Sequence, residues 1–135
     1  MDKPNFIDLI GKRFVNRGRS AVKGMDCWGL VMEVFRRYGV YVPDYTVDAF
    51  AFHTIDKVAG IAAQSRKWKR VEMPANGDAP LAVLMRMHPK YITHAGVYIG
   101  DNRIIHTMKC TDVIVSKATA LNRRIEGYYR YVEDN

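Results

Sequence analysis

Apolar residues in the first third of the chain recur at helical spacing. Phe6, Leu9, Ile10 and Phe14 predict a short helix over 6–14, and a Gly- and Arg-containing loop then runs through Gly24. From Cys27 to Tyr38, the set Trp28, Leu30, Val31, Val34, Phe35 and Tyr38 follows a 3.6-residue period, with Gly39 placed as a stop. Residues 47–65 read as a second helix, bent near Gly60, with Phe50, Phe52, Ile55 and Ala59 facing inward.

The pattern then changes to that of strands. RKWKRVEM reads as a short strand, PANGD as a turn, and APLAVLMRM as an apolar central strand. THAGVYIGDNRIIHTM has β-branched and aromatic residues on both sides of Gly100, Asp101 and Asn102 and reads as a hairpin; TDVIVS and IEGYYRYV supply two further strands. Helices first and an antiparallel meander afterwards predict an α+β fold.

At 135 residues and 48% hydrophobic, the chain is sized for a single domain, 1–135, with a real core. MDKPNFIDLIGKRF lacks a continuous apolar stretch and a small-residue cleavage site, so neither a standard export signal nor a membrane span is expected. Two cysteines are too few for a disulfide framework, and each thiol needs its own explanation. The net charge of +7 is spread along the chain and suits a polyanion: nucleic acid, anionic lipid or bacterial wall. No basic–aromatic motif supports nucleic-acid binding.

The candidate chemistry begins at GMDCWGLV. Asp26 stands at the N-cap position, so Cys27 becomes the first helical residue, where the positive end of the helix favours thiolate over thiol. Gly29 in the first turn points to close approach of another segment or of a substrate. A lone cysteine is more often packing than catalysis; a nucleophile also needs a histidine, and that histidine needs a polar partner. His53 and His88 read as packing or surface residues. His94 shares a strand face with Gly96 and Tyr98, and the glycine leaves room for something against it. An unbulged hairpin turning at Asp101 and Asn102 would put His106 on the opposite face, so its partnership with His94 requires an odd loop or a bulge near Gly100. Cys110 reads as a partly buried packing residue near the site. No paired ligands suggest zinc, and no metal or other cofactor is expected.

Asp-Cys-X-Gly-Leu-Val at 26–31, Gly77-Asp78, HAGVYIG at 94–100 and IIH at 104–106 together resemble the NlpC-type papain-like cysteine peptidases, which cleave peptide stems of bacterial peptidoglycan. GKRFVNRGRSAVKGMDCWGLV, VPDY and RRIEGYYRY look like the branch carried in phage and prophage tail tips. The resemblance implies a cysteine-bearing helix packed on a histidine-bearing antiparallel sheet, with Cys27 as nucleophile, His94 as base and His106 as third polar residue. It further implies an oxyanion donor in the Cys27 backbone N–H, and hydrolysis between the D-glutamate side-chain carboxyl and the diamino acid of the stem. Asp26, Trp28, Phe14 and Tyr98 are the candidate substrate contacts. Trp28 stands where the family commonly has Ser, and Phe14 where many relatives have Tyr. The implied partners are stem peptides and other tail-tip proteins. The implied route is synthesis in the host cytoplasm, incorporation in a tail, and action in the periplasm or wall. Two alternatives stay open: an inactive tail or wall-binding module of the same fold, and an amidase or acyltransferase using the same thiol.

Overall fold

The computed structural model of the chain describes residues 4–45 and 52–132. Its elements are β1 (Arg19–Ser20), β2 (Gly24–Met25), α1 (Cys27–Arg37), α2 (Phe52–Gln64), β3 (Trp68–Val71), β4 (Leu81–Met85), β5 (His94–Tyr98), β6 (Arg103–Met108), β7 (Asp112–Lys117) and β8 (Ile125–Tyr131). The six long strands form one antiparallel sheet in the order β3-β8-β4-β5-β6-β7, and β1 and β2 form a separate small ladder. The expected meander holds from β4 to β7, but the last strand returns to lie between β3 and β4.

Helix α1 forms where its period predicts. Trp28, Leu30, Val31, Val34 and Phe35 are buried in one cluster with Ala82, Leu84, Ala95, Val97, Ile105 and Val113 of the sheet. Burying such a stripe, at about 1.5–3 kcal/mol per large apolar side chain, is what holds the helix on the sheet. The opposite sheet face carries a second cluster, in which Leu81, Val83, Met85, Tyr98 and Ile104 pack with Ala118. Among the described residues, no helix is long and apolar enough to cross a membrane.

The helix expected over 6–14 is only a 3-10 turn, Ile7–Leu9. Gly11 N–H donates to the Val113 carbonyl, and Val113 N–H donates to the Lys12 carbonyl, so pairing with β7 takes the backbone groups a helix would use. Leu9 is buried, while Ile7 and Ile10 face outward. Helix α2 is continuous through Gly60, and Ala59 packs against the core; the stretch 47–51 and the side chains of Phe50, Phe52, His53 and Ile55 lie outside what is described.

The β5–β6 turn settles where His106 points. Asp101 and Asn102 occupy the two central turn positions with positive φ, and Arg103 N–H donates to the Gly100 carbonyl. Tyr98 nevertheless pairs with Ile104, and Gly96 with His106, which leaves Gly100 as one extra residue on the β5 side. That residue has φ +86°, a conformation suited to glycine. The extra residue turns His106 to the face that carries His94 and Gly96.

Candidate active site

The short β1–β2 ladder, with Arg19 opposite Met25, brings the chain to the start of α1. Asp26 caps the helix: its Oδ1 accepts the Gly29 N–H at 2.8 Å and a guanidinium N–H of Arg19 at 2.6 Å, and its Oδ2 accepts the Arg17 N–H at 3.2 Å. Arg19 also reaches Asp44, and Trp28 Nε1 donates to the Pro43 carbonyl at 2.8 Å, so the segment after α1 is tied back to its first turn. Gly29 is required by a close approach of chain, as its place in the first turn suggested: a Cβ there would lie 2.2 Å from the Gly18 carbonyl oxygen. Asp26 is 3% exposed with both oxygens engaged, so what this geometry shows is a cap.

Cys27 is half-buried at the first position of α1. Its backbone N–H is given to no partner among the described residues, whereas the Gly29 and Leu30 N–H groups are used by Asp26. Enclosure of the sulfur pushes the thiol up to about 11, and the neighbouring Asp26 carboxylate adds to the rise; the N–H groups of Ala95 and Trp28 and the charge of Arg19 oppose it. Burial thus opposes the thiolate that the residue's position at the helix terminus alone predicts.

His94 opens β5 and is 4% exposed. Its Nε2 lies 2.8 Å from His106 Nδ1, and His106 Nε2 lies 2.8 Å from Ser116 Oγ. Gly96 makes the first contact possible, because a Cβ there would stand 2.9 Å from the His106 Cβ. Burial, reinforced by His106, lowers His94 to about 3, and burial also lowers His106. Both rings are therefore neutral near pH 7.

Cys27 and His94 line two cavities in common. One, of about 140 Å3, is walled by Phe14, Asp26, Trp28, Met87, Thr93, Thr107, Met108 and Lys109. The other, of about 60 Å3, is almost wholly apolar and runs under α2 between Trp28, Tyr45, Trp68, Leu84, Ile92 and Tyr129. The structure thus brings Cys27, His94, His106, Asp26, Trp28 and Phe14 into one neighbourhood. The Trp28 ring is also a core group, packed against Tyr45 and edge-on to Trp68.

Tyr98 is not brought there. It is 4% exposed in the second core cluster, against Tyr128 and Asn76, and lines neither cavity. Strand alternation puts it on His94's face, but four residues along the strand carry it away from the helix terminus. Cys110 is exposed in the β6–β7 turn, not partly buried as expected. Ser116 and Thr107 are additions that sequence reasoning missed; Thr107 is wholly buried and its hydroxyl has no partner among the described residues. Among the described residues, no group of three or more His, Cys, Asp or Glu side chains could hold a metal ion.

Residues 11–127 match the profile of the NlpC/P60 family. Three solved structures share the fold. A crystal structure of an NlpC/P60 family protein from Bacillus cereus superposes with TM-score 0.61 at 20% identity, over 98% of this chain and 42% of that one. An NLP/P60 family protein from Staphylococcus aureus, described as similar to a lipoprotein, gives 0.60 at 17% identity over 95% and 39%. NlpC2 from Trichomonas vaginalis gives 0.60 at 16% identity over 93% and 43%. The chain therefore spans about two fifths of the length of each. No curated protein sequence matches it.

Proposed function

The chain belongs to the NlpC/P60 family, and from that premise we propose that it is a cysteine peptidase that hydrolyses the peptide stems of bacterial peptidoglycan. The observation that carries this reading is the hydrogen-bonded pair His94–His106 beside a cysteine that starts a helix, with His94 and Cys27 lining the same cavities.

In this reading, substrate enters a site where thiol and imidazole are both uncharged. His94 takes the thiol proton as the sulfur attacks the scissile amide carbonyl, and the Cys27 N–H, left unused by the cap, donates to the developing oxyanion. The same proton passes from His94 to the leaving amine, the C–N bond breaks, and a thioester remains. His94 then takes a proton from water, the hydroxide adds to the thioester carbon, and the released thiolate is reprotonated as the acid leaves. Partial positive charge at the helix terminus acts on thiolate and oxyanion once they form, which is where stabilisation accelerates the step.

The bond is proposed to be that between the D-glutamate side-chain carboxyl and the diamino acid, supported by the family resemblance at 26–31, 77–78, 94–100 and 104–106, and the setting a phage or prophage tail, supported by GKRFVNRGRSAVKGMDCWGLV, VPDY and RRIEGYYRY. A net charge of +7 fits an anionic wall. Purified wall fragments incubated with wild type and Cys27→Ala, with products read by mass spectrometry, test the reading. Release by wild type alone supports it; equal release, or none from either near neutral pH, overturns it. Proteomic analysis of purified tail particles tests the setting, and absence of the chain there removes it.

A further inference from the structure

We propose that Ser116 is a positioning residue that accepts the His106 Nε2–H and so supports the tautomer pair in which His94 Nδ1 is left bare. The inference rests on the reading of His94 as the base.

Three ring nitrogens and one hydroxyl are linked in sequence. His94 Nε2 meets His106 Nδ1 at 2.8 Å, and His106 Nε2 meets Ser116 Oγ at 2.8 Å. A neutral imidazole has one N–H and one bare nitrogen, so the role taken at one end dictates every role after it. With His94 Nε2 committed to His106, only His94 Nδ1 is left to receive a proton from the thiol. It can do so only if bare, which places the His94 proton on Nε2, donating to His106 Nδ1. His106 Nδ1 must then be bare. Burial holds His106 neutral, so its proton sits on Nε2, and that N–H needs an acceptor. His106 is 1% exposed, and Ser116 Oγ is the acceptor present.

The fold places this hydroxyl by register. Residue 114 lies directly opposite His106, and Ser116, opposite Ile104, is the diagonal neighbour on the same sheet face. Serine suits the position because its hydroxyl accepts the imidazole N–H while its own proton turns elsewhere. A donor-only group there would force the His106 proton onto Nδ1, set it against the His94 Nε2–H, and drive His94 to the tautomer that cannot act as base.

Long-range proton–nitrogen correlation NMR on the full chain labelled in histidine, at pH 7, reads the tautomers without reference to any substrate. Both His94 and His106 are expected as Nε2–H; finding either as Nδ1–H overturns the proposal, whether or not the protein cleaves wall fragments. With the tautomers as expected but no cleavage, the peptidase reading fails and the positioning role stands. Ser116→Ala should redistribute the His106 proton between its nitrogens. It should also lower kcat about tenfold with KM nearly unchanged, as expected for a buried donor deprived of its acceptor. Ser116→Thr, which keeps the hydroxyl, should restore both readouts. An alanine variant that folds by circular dichroism and keeps wild-type tautomers or wild-type kcat overturns the proposal; should that variant fail to fold, the wild-type and threonine spectra decide it.

Discussion

Gly18 and Gly29 touch backbone to backbone: the Gly18 carbonyl oxygen occupies the space a side chain on residue 29 would need, 2.2 Å from an ideal Cβ. The contact presses the loop that holds Asp26 against the first turn of the helix that begins with Cys27. Gly18 in turn accepts the Asp26 N–H, so the cap and Cys27 are set by one close approach.

Gly29→Ala is therefore expected to destabilise the protein although alanine is the better helix former. Propensity alone favours the change by about 1 kcal/mol. The obstacle is a backbone oxygen rather than a yielding side chain, so the helix start must shift, and overpacking of this kind costs about 1–3 kcal/mol or more, which offsets that gain and exceeds it. Urea denaturation checks the sign: a variant as stable as wild type or more so would show that the approach is not tight. Activity should fall further than stability, because the shift displaces Cys27 itself.

Asp26 offers a separable test. Removing its carboxylate with Asp26→Ala takes away the Gly29 cap and leaves the partly buried Arg19 without its 2.6 Å partner, for an expected loss of about 2–4 kcal/mol. Asp26→Asn keeps an acceptor for Gly29 and should lose less. The carboxylate is also the second cause, after burial, of the raised Cys27 thiol. The asparagine variant should therefore be less stable yet alkylate faster at Cys27 at pH 8, measured in a Cys110→Ala background because Cys110 is exposed. An unchanged alkylation rate would remove the electrostatic role.

What the residues revealed in advance, and what they did not, follows from the range over which each signal acts. The start of α1 was legible because cap, period and stop all lie within residues 26–39. His94 and His106 were legible as residue types in strand patterns. Their common face was not, since it depends on whether Gly100 counts as loop or as an extra strand residue, and only the Gly96–His106 register decides that. Ser116 was invisible for the same reason one strand further on: a serine in TDVIVS looks like any solvent-facing position until β6 and β7 are in register. The helix pattern at 6–14 misled because local periodicity says nothing of a distant strand, and β7 claims the backbone at Gly11 and Lys12. Cys110 misled because pairing near the site does not settle burial within a turn.

His94 should make the fold acid-labile. Its folded value, about 3, lies below the ordinary imidazole value of 6.5. The unfolded chain therefore takes up a proton as pH falls through 6.5 while the native protein does not, and stability present above that pH is lost progressively toward 3. One such proton gives a slope of at most about 1.4 kcal/mol per pH unit. Urea denaturation between pH 7.5 and 4.5 should show this dependence, and His94→Gln should flatten it. An equally steep curve in the variant would assign the lability to other groups. Cys27 acts at the other end: its raised thiol contributes stability that is lost as pH climbs from the ordinary thiol range toward 11.

Thr107 should show the opposite of the usual core-mutant result. It is wholly inaccessible, its Oγ1 has no hydrogen-bond partner among the described residues, and it lines the cavity shared by Cys27 and His94. A buried hydroxyl left unpaired costs about 1–3 kcal/mol, and valine has nearly the same shape with a higher preference for strands. Thr107→Val is therefore expected to raise the unfolding free energy by about 1 kcal/mol. Thr107→Ser, which keeps the hydroxyl and opens a methyl-sized void in the wall of the site, is expected to lower it by a similar amount. Thermal and urea unfolding of the pair decide the matter: destabilisation by valine would mean that the hydroxyl is paired in solution.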